Sequence, residues 1–86
     1  MFVVRIIADE GRTDYKAFSR KQDGERRYHA ARLRTAETEV ASAALFEVSG
    51  TDDARDAVEA VERDDTARVK LLEGYESPEV RPANPT

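Results

Sequence analysis

The chain has 86 residues, with 14 basic and 18 acidic side chains and a formal net charge of −4 at pH 7. It contains no cysteine, which excludes disulfides and thiolate zinc sites. No apolar run approaches the roughly 18 residues of a membrane span, and segment 2–8 lacks the basic flank and cleavage site of a signal peptide. These observations predict a small cytoplasmic domain without a membrane segment.

The first half of the chain is predicted to form strands. Residues 2–8 are β-branched and almost continuously apolar, which is typical of a central strand. Segments 15–22 and 25–34 flank Asp23 and Gly24, a dipeptide that favours a two-residue hairpin turn because both positions tolerate positive φ. We therefore predict that these two segments are the arms of a β-hairpin.

Residues 36–48 fit two structures. Leu33, Ala36 and Val40 keep helical spacing, whereas the alternation of side chains from Val40 to Val48 is typical of a strand. The alternation is followed by a turn-forming sequence, so we favour the strand and keep the helix as the alternative.

The last part of the predicted domain contains a helix and a strand. Residues 51–64 place Ala54, Ala57, Val58 and Val61 on one stripe, which predicts an amphipathic helix capped by Thr51, with both valines buried. Residues 68–75 read as a final strand, with Val69, Leu71 and Tyr75 on one face.

The predicted fold is α+β, a mostly antiparallel sheet of about five strands with one helix packed on one face. The element order is β-β-β-β-α-β, or β-β-β-α-α-β if residues 36–48 are helical. Residues 1–75 form the single predicted domain. Residues 76–86 contain three prolines and one large apolar residue, Val80, which predicts a flexible tail.

One segment carries most of the positive charge. Residues 12–34 hold eight basic and three acidic side chains. The hairpin register would place Lys21 opposite Arg26 and Arg20 opposite Arg27, and directly opposed like charges destabilise a sheet. The segment is therefore a candidate binding surface for nucleic acid or another polyanion, or else a solvated hairpin tip that faces the acidic helix. The candidate binding residues are Arg20, Lys21, Arg26, Arg27, Tyr28 and Arg32.

No pattern points to catalysis, a metal or a cofactor. His29 is the single histidine, and the hairpin register would pack it against Phe18. The serines lie in no nucleophile motif. The acidic groups at 9–14 and 52–56 do not have calcium-loop spacing, and the glycines form no phosphate-binding loop. We predict no catalytic residue, no metal ligand and no cofactor, and an enzyme is the least favoured class.

The sequence favours a non-catalytic protein-interaction or self-association module that binds a protein partner or a second copy through the helix and an open sheet edge. The alternative is nucleic-acid or polyanion binding through the basic segment 16–34. The net negative charge favours the first of these, because dedicated nucleic-acid binders are usually basic.

Overall fold

The structure, a computed structural model, describes residues 1–8, 11–35 and 40–76. Within these residues the chain forms four strands and two helices, which confirms the predicted α+β class. None of the described helices is long and apolar enough to span a membrane. The elements, in chain order, are β1 Phe2–Ala8, β2 Thr13–Phe18, α1 Lys21–Thr35, β3 Val40–Val48, α2 Ala54–Glu62 and β4 Val69–Glu76.

The four strands form one sheet in the order β2-β1-β3-β4, and every neighbouring pair is antiparallel. Paired residues project from the same face of the sheet. One such row crosses the whole sheet and consists of Tyr15, Arg5, Ala44 and Gly74. The central position predicted for residues 2–8 is therefore correct.

The two helices pack on opposite faces of the sheet, which gives the protein two small cores. The α1 face buries Val4, Ile6, Tyr28, Ala31, Ala43 and Leu45. The α2 face buries Val3, Ala44, Phe46, Val48, Ala57, Ala60 and Val61. Of the two valines predicted to attach α2, Val61 is buried and Val58 is half-buried against the same core.

The predicted hairpin around Asp23 and Gly24 is wrong, because residues 21–35 form helix α1. The buried positions Gly24, Tyr28 and Ala31 are four and three residues apart, so they form a single helical stripe. A helix also separates the basic side chains that a hairpin would place opposite one another. Positive φ occurs at Gly11 and Gly50 among the described glycines, and not at Gly24.

Gly24 allows a close packing contact and does not form a turn. A Cβ atom at this position would lie 3.1 Å from Leu45 Cδ1 and 3.3 Å from Phe2 Cβ. The missing side chain therefore allows α1 to approach β1 and β3 closely, a role that local turn preference does not reveal.

Two further assignments are settled by the sheet. Residues 40–48 are strand β3, as favoured, whereas residues 36–39 lie outside the described residues. In β4 the pairing passes from Glu73 to Leu71 and leaves Leu72 as an extra residue. This bulge puts Leu71 and Tyr75 on opposite faces, so the prediction that they share a face is wrong.

Helix α2 is shorter than predicted at both ends. Its N-cap is Asp53, whose N–H donates to Thr51 Oγ1 at 3.0 Å, so Thr51 lies outside the helix. At the other end Asp64 has a φ of 55°. The N–H groups of Asp64 and Asp65 donate to the carbonyls of Val61 at 3.1 Å and Ala60 at 3.0 Å. This is a Schellman motif, which ends the helix.

Arg68 links the start of β4 to α2 and to the segment that leads into α2. Its Nη2 donates to Asp56 Oδ2 at 2.7 Å, and its Nε donates to the Ser49 carbonyl at 3.1 Å. The hydrogen bond from Arg68, supported by one from Thr51, lowers the pKa of Asp56. Of the predicted tail, Glu76 is the last residue of β4, and residues 77–86 lie outside the described residues.

We expect Gly24→Val to destabilise the fold by about 1–3 kcal/mol, because the added carbons enter a contact that is already tight. The matched control is Gln22→Val, which places the same side chain on the exposed side of the same helix. Urea denaturation of both variants measures the difference. Equal stability of the two variants would contradict the close approach of α1 to the sheet.

Candidate functional site

The six predicted binding residues do not form one surface. Arg20 precedes α1, Lys21 begins it, and Arg26, Arg27 and Arg32 are exposed along it. Arg27 faces β2, whereas Arg32 lies on the opposite flank, with its Cζ 5.4 Å from the centroid of the Tyr75 ring in β4. The like-charge rungs that motivated the set are absent, because there is no hairpin at this position.

Tyr28 belongs to the core of the α1 face. Its side chain is 2% exposed, so its ring is not presented for stacking on a base. Burial raises the pKa of Tyr28, the nearby carboxylate of Glu73 raises it further, and Arg32 acts in the opposite direction. The tyrosine is thus part of the attachment of α1 to the sheet.

His29 is exposed on α1 and makes an edge contact with Tyr28, with ring centroids 5.3 Å apart. The expectation that it packs against Phe18 is wrong for the same reason as the hairpin. In residues 1–8, 11–35 and 40–76 no cluster of three His, Cys, Asp or Glu side chains is arranged to hold a metal ion.

Three basic side chains do converge between α1 and β2. Lys16 of β2 faces Arg26 and Arg27 of α1 across a groove of about 530 Å³. The other residues along it are Phe18, Asp23 and Ala30, so the groove has an apolar part and one carboxylate. We call this the α1–β2 groove. The two arginines were predicted from the sequence, but their proximity to Lys16 was not, since it depends on α1 being a helix.

A second groove lies on the opposite face, where α2 leaves part of the sheet uncovered. Helix α2 packs mainly over β2, β1 and the part of β3 near Phe46 and Val48. Beyond its end the sheet surface forms a groove of about 510 Å³, with Asp64 at its rim. We call it the Arg5 groove and define it by Arg5, Ser42, Ala44, Phe46, Leu71 and Gly74.

Arg5 is the unusual feature of this groove. It projects from the central strand β1, and its Nε is buried without a hydrogen-bond partner in the described structure. Its Cζ lies 5.1 Å from the centroid of the Phe46 ring, a cation–π contact. That contact stabilises the charge but accepts no hydrogen bond, so the guanidinium retains donor capacity.

The wall of the Arg5 groove includes an exposed leucine. Leu71 is 58% exposed and pairs with Phe46 across β3 and β4. Leu33 is 75% exposed, but it lies on α1 directly after the exposed Arg32 and one turn after the exposed His29, and it lines neither groove. Leu71 and Leu33 are therefore suited to comparison. Leu71 lies beside a cation in a groove, whereas Leu33 lies on the exposed surface of a helix.

Arg5 was not predicted as a binding residue from the sequence. The available signal was a lone cation inside an apolar central strand, which a strand covered on both faces would not tolerate. No known protein family, curated protein or solved structure matches the chain.

Proposed function

We propose that the chain is a non-catalytic protein-interaction module and that the Arg5 groove is its contact surface. The observation that carries this proposal is the buried, unpartnered Nε of Arg5 beside the exposed side chain of Leu71 on a part of the sheet that α2 does not cover. In a monomer the unpartnered donor and the exposed leucine both cost free energy, and the cation–π contact with Phe46 supplies no acceptor for the donor.

A bound protein would remove both costs. Complete burial of a leucine side chain contributes roughly 1.5–3 kcal/mol, and a hydrogen bond to a charged group contributes about 1.5–3 kcal/mol. The groove also has the mixed character of interface centres, in which an aromatic residue and an arginine surround an apolar pocket. Phe46 and Arg5 supply these two residues here.

Strand β4 adds a second means of contact. It is an edge strand of the described sheet, so one side of its backbone faces outward beside Leu71 and Gly74. Edge strands bind extended segments of partner proteins through their main-chain groups. The groove and the edge thus form one continuous surface for a protein partner.

Photo-crosslinking at the two exposed leucines tests this proposal. We expect a benzophenone amino acid in place of Leu71 to form protein adducts in native cells, and the same group in place of Leu33 to form far fewer, because position 71 lies in the groove and position 33 does not. The adducts are measured by blotting and mass spectrometry. Equal adducts at both positions, or none at position 71, would reject the Arg5 groove as the contact surface.

A second candidate function is polyanion binding in the α1–β2 groove, which is favoured by the convergence of Lys16, Arg26 and Arg27. Three spaced cations beside the ring of Phe18 suit a phosphate backbone with an unstacked base. Asp23 in the same groove and the net charge of the chain oppose it.

Binding of poly(U) RNA as a function of salt tests the second candidate. If the groove binds RNA, changing Lys16, Arg26 and Arg27 to Gln should flatten the log–log salt dependence by about 2, since each phosphate contact contributes about 0.7. The control changes Arg55, Arg63 and Lys70 to Gln, which alters the net charge equally on exposed positions outside the groove. Equal effects of the two triple variants would show that net charge alone is responsible.

A further inference from the structure

We infer that the Arg5 groove recognises a carboxylate side chain flanked by an apolar residue, presented by an acidic segment of a partner protein. This inference rests on the proposed function and specifies the chemistry of the partner. It follows from three features of the groove, which are the charge at its inner end, the small residues along its floor and the apolar wall beside them.

The inner end of the groove favours an anionic acceptor. Arg5 extends from the central strand, and its buried Nε has no acceptor among the described residues. A guanidinium presents its donors as a planar fork that matches the two oxygens of a carboxylate. A neutral acceptor would satisfy the donor, but only an anion also matches the charge.

The floor of the groove leaves a path to this cation. Arg5 pairs with Ala44, and Ala44 pairs with Gly74, so the row that leads from the sheet edge to Arg5 has no side chain larger than methyl. Two strand spacings make this path about 10 Å long. Among the described residues, a Cβ atom on Gly74 would come within 4 Å of Leu71 Cδ1 alone, at 3.9 Å, so they leave the space above the glycine open.

The wall of the groove is the reason to expect an apolar residue beside the carboxylate of the partner. The neighbouring row across β3 and β4 consists of Phe46 and Leu71. A partner residue next to the carboxylate would lie over Leu71, whose exposed surface it would bury. An acidic residue beside a leucine or valine therefore fits the groove, and an acidic run without apolar residues would leave Leu71 uncovered.

Asp64 sharpens the expected charge dependence. It lines the groove from the end of α2 and carries the same charge as the proposed ligand. Like charges repel, so Asp64 opposes the binding of a carboxylate although its own side chain is exposed to water. Asp64→Asn should therefore tighten binding, and asparagine tolerates the left-handed conformation of this residue, with its φ of 55°.

The test follows the Arg5 Nε–Hε resonance and the β4 amide resonances in nitrogen-15 spectra of the full chain. The probe is the peptide acetyl-Leu-Glu-Leu-amide, and the matched control is acetyl-Leu-Gln-Leu-amide. We expect the glutamate peptide to shift the Arg5 Nε–Hε signal and the amides of Leu71 and Gly74. The glutamine peptide should bind about tenfold more weakly or not at all.

Three variants should change binding of the glutamate peptide in different directions. Arg5→Gln removes the cation and should weaken binding about tenfold or more. Gly74→Val blocks the path while it introduces a residue that favours strands, so it should abolish binding in a folded protein. Asp64→Asn should strengthen binding several-fold. A purely structural role for these residues would not produce opposite effects.

Several results would overturn the inference. These are no shift of the Arg5 signal at millimolar peptide, equal binding of the two peptides, or a shift of that signal by Asp64→Asn without peptide, which would identify Asp64 as its acceptor. Dependence of the free Arg5 signal on protein concentration would assign the groove to a second copy. Dependence of the free Arg5 signal on truncation after Glu76 would assign the groove to the remainder of the chain. Crosslinking at position 71 together with any of these results would retain the proposed function and reject the carboxylate.

Discussion

Helix α2 is too short to cover its face of the sheet, and this leaves the surface on which the Arg5 groove lies. A helix of nine residues is about 14 Å long, whereas the nine residues of β3 extend over about 30 Å. Helix α2 therefore cannot cover its face of the sheet, and the Schellman motif at Asp64 stops it near Phe46. Helix α1 has 15 residues and extends along the other face for about 22 Å. Arg5 and Leu71 lie on the part of this face that α2 does not reach.

Elements with a strong local period were predictable from the sequence. The apolar strand 2–8, the alternation in 40–48 and the stripe of α2 all follow from residues a few positions apart. Helix α1 was missed because its buried stripe, Gly24, Tyr28 and Ala31, contains one large residue, while Asp23 and Gly24 carry a strong turn signal. The contact of Gly24 with Leu45 and Phe2 decides the outcome, and that contact is tertiary.

The candidate site was less predictable than the fold. Arg5 is conspicuous in its apolar strand, but the open path to it depends on the pairing of Ala44 with Gly74. That pairing depends on the bulge at Leu72, which no glycine, proline or other bulge-forming residue at this position indicates in the sequence. In the basic segment, two of the six predicted residues, Arg26 and Arg27, meet Lys16 in the α1–β2 groove, whereas Tyr28 is buried in the core. The two cationic grooves thus lie on opposite faces of an acidic chain, so one can be occupied while the other stays open.

The central proposal is that Arg5 contributes to binding of a partner and not to the stability of the isolated fold. The free energy of unfolding of Arg5→Leu, measured by urea denaturation of the isolated protein, tests it most directly. Leucine removes a buried donor whose desolvation costs about 1–3 kcal/mol and keeps an apolar contact with Phe46. The account predicts a variant at least as stable as the wild type, with a melting temperature several degrees higher, since about 1 kcal/mol shifts a domain of this size by ~4–8 °C. A loss of more than about 1 kcal/mol would contradict it, because Arg5 would then be a structural residue of the monomer.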